Sequence, residues 1–364
     1  MNSLGFDKLE KDTKVVVAMS GGVDSSVAAV MLKKQGYDVT GVTLKLYNNS
    51  NISKSKSCCA GTDIKDAKNV ALKYNFEHLV LDYQDKFFDG VINNFVDSYS
   101  NGETPLPCVK CNQTVKFSDL LSEAKKIGAD ALATGHYAIR KGSLNNASLH
   151  KAKDFSKDQS FFLFATLQEQ LNYVRFPLGD YKKSEIRQLA HQYNLDVSDK
   201  PDSQDICFVT SDSYRDLVRN LNPGVNKKGI IFDIDNNILG THNGISNYTI
   251  GQRKGIGISG SKEALYVIDI NREQNSITLG SKEKLKKNVI SFKDINWLGG
   301  NILPTKLDCS AKIRSTQEDL QGILNINSDH GTFTFETEID KTSPGQACVF
   351  YKNDQLLGGG WITS

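Results

Sequence analysis

No apolar run in the sequence approaches the roughly 18 residues that a membrane-spanning helix needs, so no transmembrane segment and no membrane partner are expected. The opening stretch, MNSLGFDKLEKDTK, alternates charges, lacks the apolar core of a secretory signal and is too acidic for an organelle transit peptide. A soluble, cytoplasmic protein is expected. Charge of one sign is missing too: 44 basic against 42 acidic side chains leave +2, and from Tyr214 onward 18 basic residues meet 16 acidic ones. Neither part is a basic slab, so composition does not point to nucleic acid. Internal repeats and low-complexity tracts are absent, as is the composition of a disordered chain. With 17 Phe, 13 Tyr and 39 % apolar residues, the 364-residue chain can build sizeable cores, in two or three domains at about 100 to 200 residues each. Seven cysteines in a long chain without a signal peptide are not a disulfide framework. They are buried thiols, metal ligands or reactive thiols. Cys58 and Cys59 are adjacent, Cys108 and Cys111 form a C-x-x-C, and Cys207, Cys309 and Cys348 stand alone.

Up to about Val209, short apolar runs alternate with amphipathic segments. Strands are predicted at Val15 to Met19, Val39 to Leu46, His78 to Asp82 and Ala131 to Ala133. Helices are predicted from Val23 to the stop at Gly36, from Asp63 to Tyr74, and from Val115 to Ile127. That alternation means crossover units and a parallel sheet. After about Arg219 the texture changes. GIIFDIDNNILGTH, LYVIDINREQNSITLG, GTFTFETEI and ACVFYKNDQLLGGGWI are alternating runs split by turn residues, which predicts hairpins in a small sheet unit plus a barrel or sandwich. The charged stretch 282–287 marks a junction. Residues 1–213, 214–282 and 283–364 are therefore expected to be a catalytic domain, a small β-rich central domain and a C-terminal β domain.

The strongest local signal is Ser20-Gly21-Gly22-Val23-Asp24-Ser25-Ser26, between the first strand and the first helix. Glycines let backbone N–H groups approach a phosphate, and the helix start adds orphan donors and positive potential. Asp24 is an odd neighbour for a phosphate unless it holds Mg²⁺ or positions a charged group. No lysine follows the glycines, so this is not the P-loop of enzymes that hydrolyse a γ-phosphate.

At these residues the chain resembles the PP-loop ATP pyrophosphatase superfamily, which splits ATP between its α- and β-phosphates. The resemblance narrows with Asp63 and Asp66-Ala67 after Cys58-Cys59, Thr104-Pro105-Leu106-Pro107 before Cys111-Asn112, Ala133-Thr134-Gly135-His136-Tyr137, Lys157-Asp158-Gln159-Ser160, Phe176-Pro177-Leu178-Gly179, Asp202 to Phe208, Tyr248 to Gly255 and Pro344-Gly345-Gln346. In this order, over nearly the whole chain, they are similar to the tRNA-specific 2-thiouridylases, which place sulfur on C2 of the wobble uridine. The resemblance implies an α/β fold: an N-terminal doubly wound parallel sheet of the PP-loop, adenine nucleotide alpha hydrolase-like type, a β-rich central domain and a C-terminal β-barrel that binds tRNA. It implies ATP and Mg²⁺ as cofactors. It places Ala18, Met19, Ser20, Gly21, Gly22, Val23, Ser25, Leu44 and Gly135 at the nucleotide, with Asp24 among the catalytic residues. Cys108, His136, Lys157, Asp158, Gln159, Arg314, Ser315 and Gln346 fall at tRNA-contact positions. Its partners would be the anticodon arm of tRNA and a sulfur-relay protein or cysteine desulfurase, and a monomer is expected.

Thiolating a uridine carbonyl requires that its oxygen become a leaving group and that sulfur arrive without loss to water. Adenylylation does the first. A persulfide on one cysteine, attacked by a second thiol, does the second. By resemblance Cys111 is the nucleophile and Cys207 carries the persulfide, the two ending as a disulfide that must be reduced. Cys111 is expected beside a helix start, where the potential favours thiolate. Many family members carry Asp where this chain has Cys108. A second route stays open: Cys108, Cys111 and Cys207 as ligands of a [4Fe–4S] cluster with one open iron. Cys58-Cys59, Cys309 and Cys348 are expected to be inert.

A base in an anticodon stack must be splayed out to reach ATP. Lys157-Asp158-Gln159 read alone is a solvated helix start with Asp158 as cap, and only the resemblance assigns it to tRNA. Arg253-Lys254, in a glycine-rich loop, offers charge for a phosphate track. Two other readings use the same features: a PP-loop amidotransferase or synthetase, which needs no paired cysteines, and a non-catalytic RNA-binding protein.

Overall fold

Val15, Val16 and Val17 are fully buried and form the middle of strand β1 (Lys14–Ala18). In the computed structural model, which describes residues 1–47, 61–202, 206–209, 213–258 and 263–363, this strand is the centre of a parallel sheet. β2 (Asp38–Lys45) and β3 (Glu77–Asp82) lie on one side of β1, and β4 (Ala131–Thr134) on the other. A short hairpin follows β4, made of β5 (Ile139–Gly142) and β6 (Ala147–His150), and Gln355 and Leu356 extend it. β7 (Val174–Arg175) then pairs with β4, giving the order β3-β2-β1-β4-β7. Helix α1 (Val23–Lys34) is buried along almost its whole length from Val23 to Leu32. That is the behaviour of a helix enclosed on all faces rather than one with a solvated side. Helix α2 (Gly61–Tyr74) buries only Asp63, Ala67, Val70 and Ala71.

The chain leaves β1 toward β2 on one side and later enters β4 on the other. The C-terminal ends of β1 and β4 thus flank a topological switch point, where open parallel sheets form a crevice. Both the glycine turn after β1 and Gly135 after β4 lie there. The two approach so closely that a Cβ on Gly135 would sit 2.8 Å from the Ser25 amide nitrogen.

The helix predicted from Val115 begins earlier. Helical backbone starts at Pro107–Cys111, widens into π-type turns over Asn112–Leu120 and returns to α geometry at Leu121–Lys126. Val115, Phe117, Leu120, Leu121 and Ala124 bury its inner face. Pro107 supplies a start signal, since proline is favoured in the first turn.

The described residues divide into two compact units, and the sheet just described belongs to the first, with residues 1–91, 108–210 and 354–357. The second comprises residues 92–107, 211–353 and 358–364. It contains a four-stranded sheet in the order β10-β11-β8-β9. β8 (Lys228–Phe232) and β9 (Ile238–Asn243) are one hairpin, β10 (Tyr266–Asn271) and β11 (Ser276–Gly280) another. Their turns place Asn236 and Asn275 at φ of 64° and 47°, the left-handed region that asparagine tolerates best among side-chain-bearing residues. Ile231, Val267, Ile277 and Leu279 form its core.

Six further strands, β12 (Lys286–Trp297), β13 (Lys306–Lys312), β14 (Leu320–Asn327), β15 (His330–Asp340), β16 (Ala347–Lys352) and β17 (Gln355–Ile362), close into a barrel through pairing of β12 with β17. Closure removes the exposed edges of an open sheet. Phe292, Phe333 and Phe350 fill the barrel. Helix Tyr214–Leu221, capped by the Ser213 side chain, is one that the strand-rich texture around it hid. Among the described residues no helix is long and apolar enough to cross a membrane.

Phe350 is 0 % exposed, with its ring centroid 5.0 Å from Phe292 and 6.2 Å from Phe333. Phe350→Ala is expected to lower the unfolding free energy by about 3–5 kcal/mol. Both tryptophans, Trp297 and Trp361, lie in barrel strands, so urea unfolding followed by tryptophan fluorescence measures this loss directly.

Candidate active site

The turn after β1 is shaped by its neighbours. Gly21 has φ +72°, and a Cβ there would lie 2.2 Å from the Asp63 carbonyl oxygen, so only glycine fits. Met19 N donates to Val42 O at 2.8 Å, holding the end of β1 against β2. Ser20 N donates to Ser25 Oγ at 3.1 Å, and the two hydroxyls are 3.3 Å apart. The loop is thus folded on itself at the start of α1, with Gly22 as N-cap. Ser26 is fully buried and its hydroxyl has no hydrogen-bond partner. Lys200 braces the loop from outside: its Nζ donates to Gly21 O at 3.0 Å and to Asp63 and Asp66 at 2.5 and 2.8 Å.

Asp24 explains itself in three dimensions. Lys183 Nζ donates to both of its carboxylate oxygens, at 2.7 and 2.8 Å, and the Tyr137 hydroxyl donates to Oδ1 at 2.8 Å. The same Nζ lies 2.9 Å from Asp202 Oδ1, which also receives Arg187 at 2.8 Å, while Lys157 reaches Asp202 Oδ2 at 3.0 Å. Lys183 keeps only 10 % of its side chain exposed. Burial alone would raise the Asp202 carboxyl, but hydrogen bonds and charge from Lys183 and Lys157 outweigh it and hold it down at about 2. Burial, and then the charge of Asp24, pushes the Tyr137 hydroxyl far up, so it stays a donor. The turn without a lysine therefore has one beside it, supplied by helix Lys183–Gln192. Tyr181-Lys182-Lys183 reads in sequence as ordinary exposed charge. The one available signal was a cation in a first helical turn, where the helix dipole disfavours it.

Of the residues expected at the nucleotide, Ala18 to Ser25 and Gly135 come together at the switch point, and Leu44 lies on β2 opposite Leu81. His136 follows, with Nδ1 2.9 Å from the Thr134 hydroxyl and its ring edge-on to Phe117 and Phe176. Burial, helped by the charge of Lys116, lowers its pKa to about 3, so the imidazole is neutral. Gln159 is tied to Tyr137 by two hydrogen bonds of 2.9 Å, one through its side chain and one through its amide. Asp158 accepts from Ala152 N and from Ser160. Both side chains stabilise the loop, and Lys157 is the member of the tripeptide that pairs with Asp202. The cap of the short helix there is Asp154 rather than Asp158.

Cys111 departs from expectation. It lies at the end of Pro107–Cys111 with further helical turns beyond it, not at a helix start. It is 7 % exposed, and burial pushes its thiol up, opposed by the charge of Lys116. Desolvation of the charged form is the main cause. Cys108 is exposed, and Cys207 is half-buried with its carbonyl accepting from the Tyr47 hydroxyl at 3.1 Å. None of the five described cysteines forms a disulfide, and Cys58 and Cys59 lie outside the described residues. Cys309 and Cys348 are buried, and burial pushes the former up to about 12. Among the described residues no three His, Cys, Asp or Glu side chains gather as a ligand set. Arg314, Ser315 and Gln346 lie in the second unit: Arg314 and Ser315 are half-buried, and Gln346 Nε2 donates to Thr104 O at 2.8 Å.

An open parallel sheet with a glycine turn at its switch point, followed by a small sheet and a closed barrel, defines a multidomain α/β protein. The family model described as "tRNA methyl transferase HUP domain" matches residues 13–211, that of the "tRNA methyl transferase PRC-barrel domain" 221–281, and that of the "Aminomethyltransferase beta-barrel domain" 287–362. The chain is 52 % identical over 362 residues to the tRNA-specific 2-thiouridylase MnmA of Orientia tsutsugamushi, covering 99 % of this chain and 98 % of the relative. It is 48 % identical over 371 residues to that of Rhodospirillum centenum, covering 100 % and 94 %. The chain belongs to the tRNA-specific 2-thiouridylase family. Among solved structures, a 4-thiouridine synthetase–RNA complex with bound ATP is similar at 16 % identity and a TM-score of 0.34, covering 58 % of this chain and 50 % of that one.

The Asp202 carboxyl, folded at about 2 against an ordinary 3.8, contributes stability that is present above the ordinary value and lost as pH falls through the folded one. Acid unfolding of the wild type should therefore carry a component between about pH 4 and 2. Asp202→Asn is expected to remove that component, as read by circular dichroism across an acid titration.

Proposed function

We propose that this protein is an ATP-dependent tRNA-uridine 2-sulfurtransferase that converts the wobble uridine to 2-thiouridine, with AMP and pyrophosphate as by-products. The observation that carries the reading is the full-length match to relatives bearing that name at 48–52 % identity. ATP sits at the turn 20–25 with Gly135 beside it, and the uridine C2 oxygen attacks the α-phosphate and expels pyrophosphate. Lys183 stabilises the charge that develops there, a role that fixed cationic donors fill best when already in position. Mg²⁺ would be held mainly by phosphate oxygens and water with at most one or two carboxylates; Asp24 lies in the turn itself, and with Lys183 and Tyr137 already on it, it acts as an orienting group. His136, Lys157, Asp158, Gln159, Cys108, Arg314, Ser315 and Gln346 contact or frame the tRNA.

Sulfur arrives as a persulfide on Cys207, charged by a sulfur-relay protein or cysteine desulfurase. The Cys111 thiolate attacks the inner sulfur, a Cys111–Cys207 bond forms and hydrosulfide leaves. Hydrosulfide adds to C2, and AMP departs with the original oxygen. A dithiol reductant then restores both thiols. Because burial raises the Cys111 thiol, Lys116 is the nearby charge that favours its ionisation. The three segments 1–213, 214–282 and 283–364 act as catalytic, central and tRNA-binding parts of a cytoplasmic monomer.

Unmodified tRNA incubated with ATP, Mg²⁺ and a persulfide donor, then analysed by nucleoside mass spectrometry, tests this. Cys111→Ser and Cys207→Ser should abolish 2-thiouridine while leaving tRNA-dependent pyrophosphate release intact. Unchanged product with both thiols removed would refute the reading. Lys183→Ala should instead cut pyrophosphate release by about 10²-fold or more, with partial recovery in Lys183→Arg.

A further inference from the structure

Lys200 touches the turn at 20–25 yet has no part in the reaction proposed above. Its Nζ donates to Gly21 O at 3.0 Å, to Asp63 Oδ1 at 2.5 Å and to Asp66 Oδ2 at 2.8 Å. An ammonium has three N–H donors, and here three separate protein groups take them. Lys200 therefore acts on a ligand through the turn rather than by touching phosphate itself. Burial alone would lower the Lys200 ammonium, but hydrogen bonds and charge from Asp63 and Asp66 outweigh it and hold it up, so the cation persists.

The bond to Gly21 O fixes more than a carbonyl. The peptide joining Gly21 to Gly22 is trans, and across a planar trans peptide the C=O and N–H point in opposite directions. With the carbonyl held toward Lys200 and the acids of α2, the Gly22 N–H is aimed the other way. A peptide between two glycines turns over at little cost, since neither residue has a Cβ to restrict it, so its orientation needs an external hold. The position matters because Gly22 is the N-cap of α1, where orphan N–H groups and the helix field favour an anion. Lys200 is itself held in place. Arg187 donates to Lys200 O at 3.3 Å and to Asp202 Oδ1 at 2.8 Å, and Asp202 receives Lys183, the partner of Asp24. The turn is thus gripped at Gly21 and at Asp24 by two lysines linked through Arg187. Without Lys200, the carboxylates of Asp63 and Asp66 would stand behind the turn with their charge uncompensated by it.

We propose that Lys200 is a positioning residue for ATP: by holding the Gly21 carbonyl it presents the Gly22 N–H to a phosphate oxygen of the nucleotide, and it cancels the charge of Asp63 and Asp66 behind the turn. The inference rests on the ATP-dependent reading above and deepens it, adding a residue that acts on the nucleotide without touching it. A brace that served folding alone would weaken every ligand of the site equally. A residue that sets one N–H toward phosphate weakens only ligands that carry phosphate.

Calorimetry of ATP with Mg²⁺ and ligand-observed NMR of adenosine, both on the full-length protein, separate the two. Lys200→Met should weaken ATP binding about tenfold, the scale of one hydrogen bond to a charged group, while adenosine, which has no phosphate, keeps its affinity. Lys200→Arg, which keeps the charge and the donors, should recover most of the loss. Lys200→Met combined with Asp63→Asn and Asp66→Asn should stay weaker than wild type for ATP; full recovery would reduce Lys200 to charge cancellation and overturn its positioning role. A measurement on the wild type needs no variant to fold: in isotope-labelled protein the Gly22 amide proton should shift downfield with ATP and not with adenosine, and an unmoved Gly22 amide would overturn the proposal. Equal ATP affinity in Lys200→Met and wild type, or parallel losses for ATP and adenosine, would overturn it too and leave nucleotide use standing. Wild-type protein that binds ATP in this Lys200-dependent way yet never thiolates tRNA would sink the enzymatic reading and leave the positioning role intact.

Discussion

The pairing of Asp24 with Lys183 organises the first unit. A carboxylate beside a phosphate-type turn repels the ligand the turn would hold, and a lysine with 10 % of its side chain exposed is costly without a counter-charge. Each answers the other's problem. The pair joins the start of α1 to helix Lys183–Gln192, and through Asp202 it extends to Arg187 and Lys157. Breaking a fully buried pair by removing one partner costs about 3–5 kcal/mol; here Asp24 keeps 32 % of its side chain exposed, so water screens part of that. Asp202 receives three cations, which spreads the charge and keeps the cluster near balance.

This arrangement has consequences for chemistry. Lys183, Tyr137 and the hydroxyls of Ser20 and Ser25 are oriented by hydrogen bonds within the protein itself, and such preorganisation is what makes charge stabilisation effective. The thiols are under a different regime. Cys111 is buried, which favours the neutral form, while Cys108 on the same helical segment is exposed. A persulfide carrier needs access, and a nucleophile that must not react early benefits from burial.

The second unit solves another problem. Its hairpins alone would be marginal; the four-stranded sheet has its own apolar core, and the six barrel strands close around Phe292, Phe333 and Phe350. On that scaffold the side chains of Gln252 and Gln346 are held by hydrogen bonds to backbone groups. Rigid loops on closed sheets are good places for recognition because little order is lost when a ligand binds.

Strand runs such as Val15 to Val17, the hairpin turns at Asn236 and Asn275, and the glycine turn at 20–25 were legible in the sequence. They depend on local backbone preference and on apolar periodicity, which near neighbours in the chain decide. The family was legible from ordered motifs. What the sequence alone did not yield was every feature set by distance in space. Lys183 stands 159 residues from Asp24, and nothing near it in the chain distinguishes it from a surface lysine. The helical start at Pro107 leaves Cys111 inside a helical segment, where burial raises its thiol. Asp158 and Gln159 turned out to stabilise their own loop. Local propensity writes the elements; charge pairing and desolvation depend on what folding brings within a few ångströms, so only the tertiary structure decided them.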